Sequence, residues 1–157
     1  METIKESSLK SREQIRSDLN NLLLLVNDGR DGYQRAAELT KSDELKTLFL
    51  EIEGERIVYA SELSEQIASF EETHIDEKKS LFGSMHLGWI TIKQLLTGNS
   101  NKAILEAIIT GETAALAKYD EYIAEYTDHA VHLELLKEQR AGIAEAKQKI
   151  MALAIRF

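Results

Sequence analysis

Residues 71–101 read EETHIDEKKSLFGSMHLGWITIKQLLTGNSN, and their reading decides the topology of the whole chain. Asp76 is placed to cap a helix from about Glu77 to Thr97. Leu81, Phe82, Met85, Trp89, Ile92 and Leu96 fall on one face of that helix, Gly98 is its stop, and Asn101 is the next cap. At 1.5 Å per residue such a helix covers roughly 30 Å, about the length of a bundle of long helices. A connection of this size is far longer than the 2–8 residues that join neighbours in an up-down bundle. Residues 71–101 are therefore read as a crossover connector lying along the bundle with Trp89 largely buried. The competing reading is five helices in simple succession.

The flanking sequence supplies the long helices. From Ser11 to Glu38 the apolar residues Ile15, Leu19, Leu22, Val26, Tyr33 and Ala37 recur at steps of three and four, with Ser11 as N-cap. Ser42 caps a second helix, about Asp43 to Phe70, striped by Leu45, Phe49, Ile52, Leu63 and Ile67. The third runs from about Lys102 to Tyr126 on Ile104, Ile108, Ala115, Tyr119 and Tyr122. The fourth runs from about His129 to Ile155 on Leu136, Ile143, Ile150 and Leu153. Short connections make antiparallel neighbours. Two hairpins joined by one long crossover form the ferritin-like four-helix arrangement. The fold expected is all-α and a single domain over 1–157, with residues 1–15 as an N-terminal extension.

Composition narrows function. The 157 residues hold no Cys and no Pro, and aromatics are 6%. Without Cys there are no disulfides, thiolate zinc sites or thiol nucleophiles. The net charge is −8, with no basic cluster, which argues against nucleic acid as a partner. The longest apolar run is Leu22–Val26, far short of the roughly 20 residues a bilayer span needs. The polar start, Met1 to Lys10, does not resemble a secretory signal, so the expectation is cytoplasmic. Neither a phosphate-binding glycine loop nor a nucleophile elbow is present.

The apolar stripes are each interrupted near mid-helix, at Gly29 and Arg30, at Glu55 and Arg56, at Gly111 and Glu112, and at Gln139 and Arg140. Glycine recurs at that height as Gly29, Gly32, Gly54, Gly111 and Gly142, which suggests close backbone approach or room for a ligand. The interruptions predict a polar layer of Glu55, Arg56, Glu112 and Arg140, with Tyr33 and Lys147 as further candidates. Three readings of the layer stand together: an ion-pair network, a metal site, or a pocket for an anionic or small polar ligand. A metal would use Glu55, Glu62 and Glu112 and would be iron, manganese or zinc. Against it, a guanidinium repels a cation. The one Glu-x-x-His, Glu71 to His74, lies at a helix end rather than at mid-bundle. His129 and His132 can hold a metal only adventitiously or stand as solvated surface histidines. Tyr119, Tyr122 and Tyr126 form a stripe that suits core packing better than radical transfer. Glu112 falls in line with Ile108, Ala115 and Tyr119, so it is expected to be ionised and bonded to Arg56, Arg140 or Lys147.

The chain also resembles a bacterial family of uncharacterised proteins with a ferritin-like four-helix bundle, often classed as a domain of unknown function. The resemblance covers about Leu19 to Leu153. It is carried by Leu19-Asn20-Asn21-Leu22, Asp28-Gly29, Gly32-Tyr33, Ala36-Ala37-Glu38, Glu44-Leu45-Lys46, Leu48-Phe49, Glu55-Arg56 and Glu62-Leu63. His86-Leu87-Gly88-Trp89 and Leu96-Thr97-Gly98 are its most specific pieces, followed by Ala103-Ile104-Leu105-Glu106, Gly111-Glu112 and Tyr119. The resemblance implies the ferritin-like fold and a dedicated place for Glu112, but no assigned activity. It implies a His late in the last helix, in a stretch like Ile143 to Lys147. Here Lys147 stands there, an ammonium that can replace a metal as counter-charge. Two functions follow. One is a non-catalytic bundle acting by association with itself or a partner, in a stress-related setting, without a cofactor. The other is a ferritin-type metal-binding protein or oxidase.

Overall fold

The computed structural model describes residues 11–70, 100–126 and 130–157, and these form four helices with no strand among them. Helix α1 spans Arg12–Leu39, α2 Asp43–Ala68, α3 Asn101–Glu125 and α4 Ala130–Arg156. The connector helix with Trp89 and His86, the Glu71 to His74 motif, and His129 lie outside the described residues.

Serine sets three of the four starts. Ser11 Oγ accepts from Gln14 N at 3.1 Å while Gln14 Oε1 accepts from Ser11 N at 2.9 Å, a complete capping box. Ser42 Oγ accepts from Leu45 N at 3.2 Å. The third start differs from the sequence reading. Ser100, not Asn101, is the cap, its Oγ accepting from Ala103 N at 3.2 Å. Asn101 bonds across the bundle instead. Its Oδ1 accepts from the Thr40 hydroxyl at 2.7 Å, tying the turn between α1 and α2 to the beginning of α3.

The buried stripes meet in one core. α1 contributes Ile15, Leu19, Leu22, Val26 and Tyr33, α2 Leu45, Phe49, Ile52 and Leu63, α3 Ile104, Ile108, Ala115 and Tyr119, and α4 Leu136, Ile143 and Ile150. α1 packs against α2 and α3, α3 packs against α4, and α2 touches α4. Contacts that pair α1 with α3 are Asn21 to Tyr122, Tyr33 to Glu112 and Thr40 to Asn101. Between α3 and α4 they are Tyr119 to Gln139, Asp120 to Arg140 and Lys102 to the Ala154 carbonyl.

The glycines do not act alike. Gly29, Gly32 and Gly111 are buried. Gly54 is exposed, and a Cβ there would meet nothing within 4 Å among the described residues, so it serves no close approach between them. At Gly142 a Cβ would lie 1.7 Å from the Tyr59 hydroxyl oxygen, so α4 needs glycine here to let the tyrosine of α2 lie across it. Alanine improves a helix interior over glycine by about 1 kcal/mol. In dilute solution Gly54→Ala should raise the unfolding free energy by about that amount. Gly142→Ala should gain less, because Tyr59 must swing away. Parallel denaturant titrations check the difference.

Candidate functional site

At mid-bundle all four helices send a polar side chain inward. Arg56 of α2 follows Ile52 by four residues and precedes Leu63 by seven, so helical phase points it into the core, where it is 1% exposed. Glu112 of α3, four after Ile108 and three before Ala115, is 0% exposed. Arg56 Nη1 donates to Glu112 Oε1 at 3.0 Å and Nη2 to Oε2 at 2.5 Å, the fork-on-fork match of guanidinium and carboxylate. Tyr33 of α1 donates its hydroxyl to the same Oε2 at 2.6 Å, and its ring lies 5.3 Å from the guanidinium carbon. Phe49 packs against that ring at 6.1 Å.

A second set adjoins the first. Tyr119 donates to Gln139 Oε1 at 2.7 Å, and Gln139 Nε2 donates to Glu62 Oε1 at 3.1 Å and to the Tyr59 carbonyl at 3.2 Å. Gln139 of α4 is 1% exposed. The two sets thus tie α1 to α2 and α3, and α3 through α4 back to α2.

Electrostatics follow burial. Burial is the largest single influence and pulls the Arg56 guanidinium down, but the charge and hydrogen bonding of Glu112, together with Tyr33 and Tyr119, outweigh it and hold Arg56 above its ordinary value. Burial raises Tyr33 well above the usual phenol range, and the adjacent Glu112 charge raises it further. Burial likewise raises Tyr119, and burial with the neighbouring Asp18 raises Tyr126. These phenols stay protonated and act as donors. Arg56 Nε has no partner among the described residues.

Several sequence candidates lie elsewhere. The sequence puts Arg140 in the layer beside Glu112. In the structure it sits toward the surface and forks onto Asp120, with Nε donating to Oδ1 at 2.6 Å. The reason is helical phase: Gln139, three after Leu136 and four before Ile143, takes the core position, and the next residue turns out by about 100°. Glu55 is exposed for the same reason, one position off Arg56. Lys147 is half-buried beside buried Ala146. Glu62 is half-buried and bonded to Gln139. Glu55, Glu62 and Glu112 thus do not converge. Among the described residues no group of three or more His, Asp or Glu can hold a metal ion. Among the described residues the donor set does not fit iron, manganese or zinc, because the one buried glutamate there has both oxygens on a guanidinium. Gln139 stands in the sequence as an interruption of its stripe but not among the expected site residues. Its phase with Leu136 and Ile143 is the signal that marks it.

The tyrosine stripe of α3 has buried rings with hydroxyls engaged inside the bundle. Tyr122 accepts from Asn21 Nδ2 at 3.2 Å, and Tyr126 donates to Asp18 Oδ2 at 3.2 Å.

Most of this arrangement lies within a stretch that a family model matches. A family model described as a domain of unknown function, DUF2383, matches residues 14–125. The chain belongs to the DUF2383 family. The matched stretch holds Tyr33, Arg56, Glu62, Glu112 and Tyr119, whereas Gln139 on α4 follows it. No curated protein and no solved structure matches the chain.

Glu112→Leu and Arg56→Leu each strand a buried charge and should cost about 3–5 kcal/mol, while the double variant costs less than their sum. Arg140→Leu, an exposed pair, should cost about 1 kcal/mol or less. Denaturant unfolding of the cycle measures the coupling. A second expectation concerns alkali. Tyr33, Tyr119 and Tyr126 have folded values raised above an unfolded value of about 10, so their contribution is full below that pH. It is lost as pH rises from there through the folded values. Tyrosinate absorbance of these three should appear together with loss of helical circular dichroism, not before it.

Proposed function

We propose that this DUF2383 chain is a non-catalytic ferritin-like bundle that works by association with itself or a partner. The observation that carries the reading is the Arg56–Glu112 pair. In a ferritin-like di-metal protein, carboxylates at mid-bundle face an ion. Here the guanidinium fork takes both oxygens of Glu112, and Tyr33 adds a third donor. The carboxylate of the layer is satisfied from within, and the layer offers no free base or nucleophile among the described residues.

What supports antiparallel hairpins is the order of cross-helix contacts. Residue numbers rise along α1 as they fall along α3, and rise along α3 as they fall along α4. Arg12 over Phe70 and Tyr33 beside Phe49 give the same sense for α1 and α2. Arg156 on Glu44 and Gln139 on Glu62 give it for α2 and α4. This order makes α2 and α3 parallel, the sense that a ferritin-like arrangement requires of its second and third helices.

Addition of iron, manganese or zinc to protein purified without an affinity tag should leave the unfolding midpoint unchanged. A midpoint that rises with metal concentration, together with near-stoichiometric metal in the purified protein, would return the function to the metal-binding class.

A further inference from the structure

The side of α2 opposite Arg56 and the core stripe carries a second pattern. Thr47, Leu50, Gly54, Ile57, Ser61 and Ser64 follow one another at steps of three and four, and all six are exposed. None is charged, although Glu51, Glu53, Glu55 and Glu65 stand on the same helix. Leu50 is 46% exposed, Ile57 47% and the adjacent Val58 54%. A helix that merely faces water has no reason to keep such a row free of charge. A mean step near 3.5 residues is the seam of a left-handed helix pair, so what fits this face is another helix.

The shape of the row says which helix. One set of positions is small, Thr47, Gly54 and Ser61, and the alternate set carries the large residues Leu50 and Ile57. The space over Gly54 is open, with no atom of the described residues within 4 Å of where a Cβ would stand. A two-fold contact requires a surface that complements itself. Antiparallel pairing about an axis between positions 55 and 56 meets that requirement. It sets Ile57 of one copy over Gly54 of the other, and Leu50 over Ser61, so each large residue finds a small one. Parallel pairing would place Leu50 on Leu50 and leave the hole at Gly54 unfilled. The row from Thr47 to Ser64 runs for about 26 Å along the 26-residue helix.

We infer that the outer face of α2 is the surface through which two copies of this chain pair, as antiparallel helices in this register. The inference rests on the association reading above and names its partner. The absence of cysteine from the chain makes the test direct. Sedimentation equilibrium of the wild type should give twice the chain mass. Ile57→Glu should weaken the dimer at least about tenfold with helical circular dichroism unchanged. Ile155→Glu on α4, where Ile155 is 86% exposed, should leave the mass as it is. Under oxidation a mixture of Leu50→Cys and Ser61→Cys chains should cross-link into a covalent dimer, and neither variant should do so alone. A wild type of single-chain mass at every concentration overturns the inference, while leaving association with another protein in place. A dimer indifferent to Ile57→Glu overturns the seam but not self-association. Leu50→Cys cross-linking to itself overturns the antiparallel register.

Discussion

Two opposite charges sit where hydrocarbon should be, and each makes the other tolerable. A lone carboxylate or guanidinium at this depth would cost several kcal/mol, and mutual attraction repays that only when geometry is good and the remaining lone pairs are used. Arg56 and Glu112 meet the first with two parallel hydrogen bonds, and the Tyr33 hydroxyl takes a further lone pair on the shared oxygen, while Arg56 Nε has no partner among the described residues. The consequence is positional. A fork-on-fork contact does not tolerate a one-residue slide, so it fixes α2 against α3, and Tyr33 fixes α1 to both. Apolar stripes alone would permit neighbouring registers at small cost, because leucine packs nearly as well one turn away.

The same device recurs away from mid-bundle. Asn21 on Tyr122 and Tyr126 on Asp18 are cross-helix bonds between α3 and α1, and Tyr119 on Gln139 runs from α3 to α4. Each joins a phenol, whose ring adds apolar area, to a polar group that would otherwise be buried without that partner. α3 is thus the hub, contributing Glu112 and three tyrosines. Its partners lie far away in sequence, so these bonds specify tertiary arrangement rather than local helix.

Much of this is legible from spacing. Three- and four-residue steps mark the helices, and Ser11 and Ser42 mark two starts through their reach to the third amide. Glu112 is legible as a core carboxylate because it falls in phase with Ile108 and Ala115. Its partner is not uniquely legible. Arg56 and Arg140 both stand at interruptions of a stripe, but only Arg56 is in phase with its own stripe; at the other interruption the in-phase residue is Gln139. An interruption shows the height of a polar layer, and only the phase shows which residue turns inward. Which of two neighbouring polar residues caps a helix is likewise open at Ser100 and Asn101. The choice depends on Thr40, about sixty residues earlier in the chain, which claims the asparagine.

α2 combines these features in an unusual way. Its inward face carries a charge, Arg56, and its outward face carries a row of uncharged small and apolar residues. That departs from the ordinary surface helix, whose inner stripe is apolar throughout and whose outer side is charged. The inward charge is explained by Glu112. The outward row has no counterpart within the described part of the chain, and exposed apolar residues arranged at helical seam spacing are more than the scattered kind that every surface has. A helix with two apolar or uncharged faces has two packing partners. For α2 the first is its own bundle, and the alternation of small and large residues along the second is what a copy of the same helix, reversed, would fill.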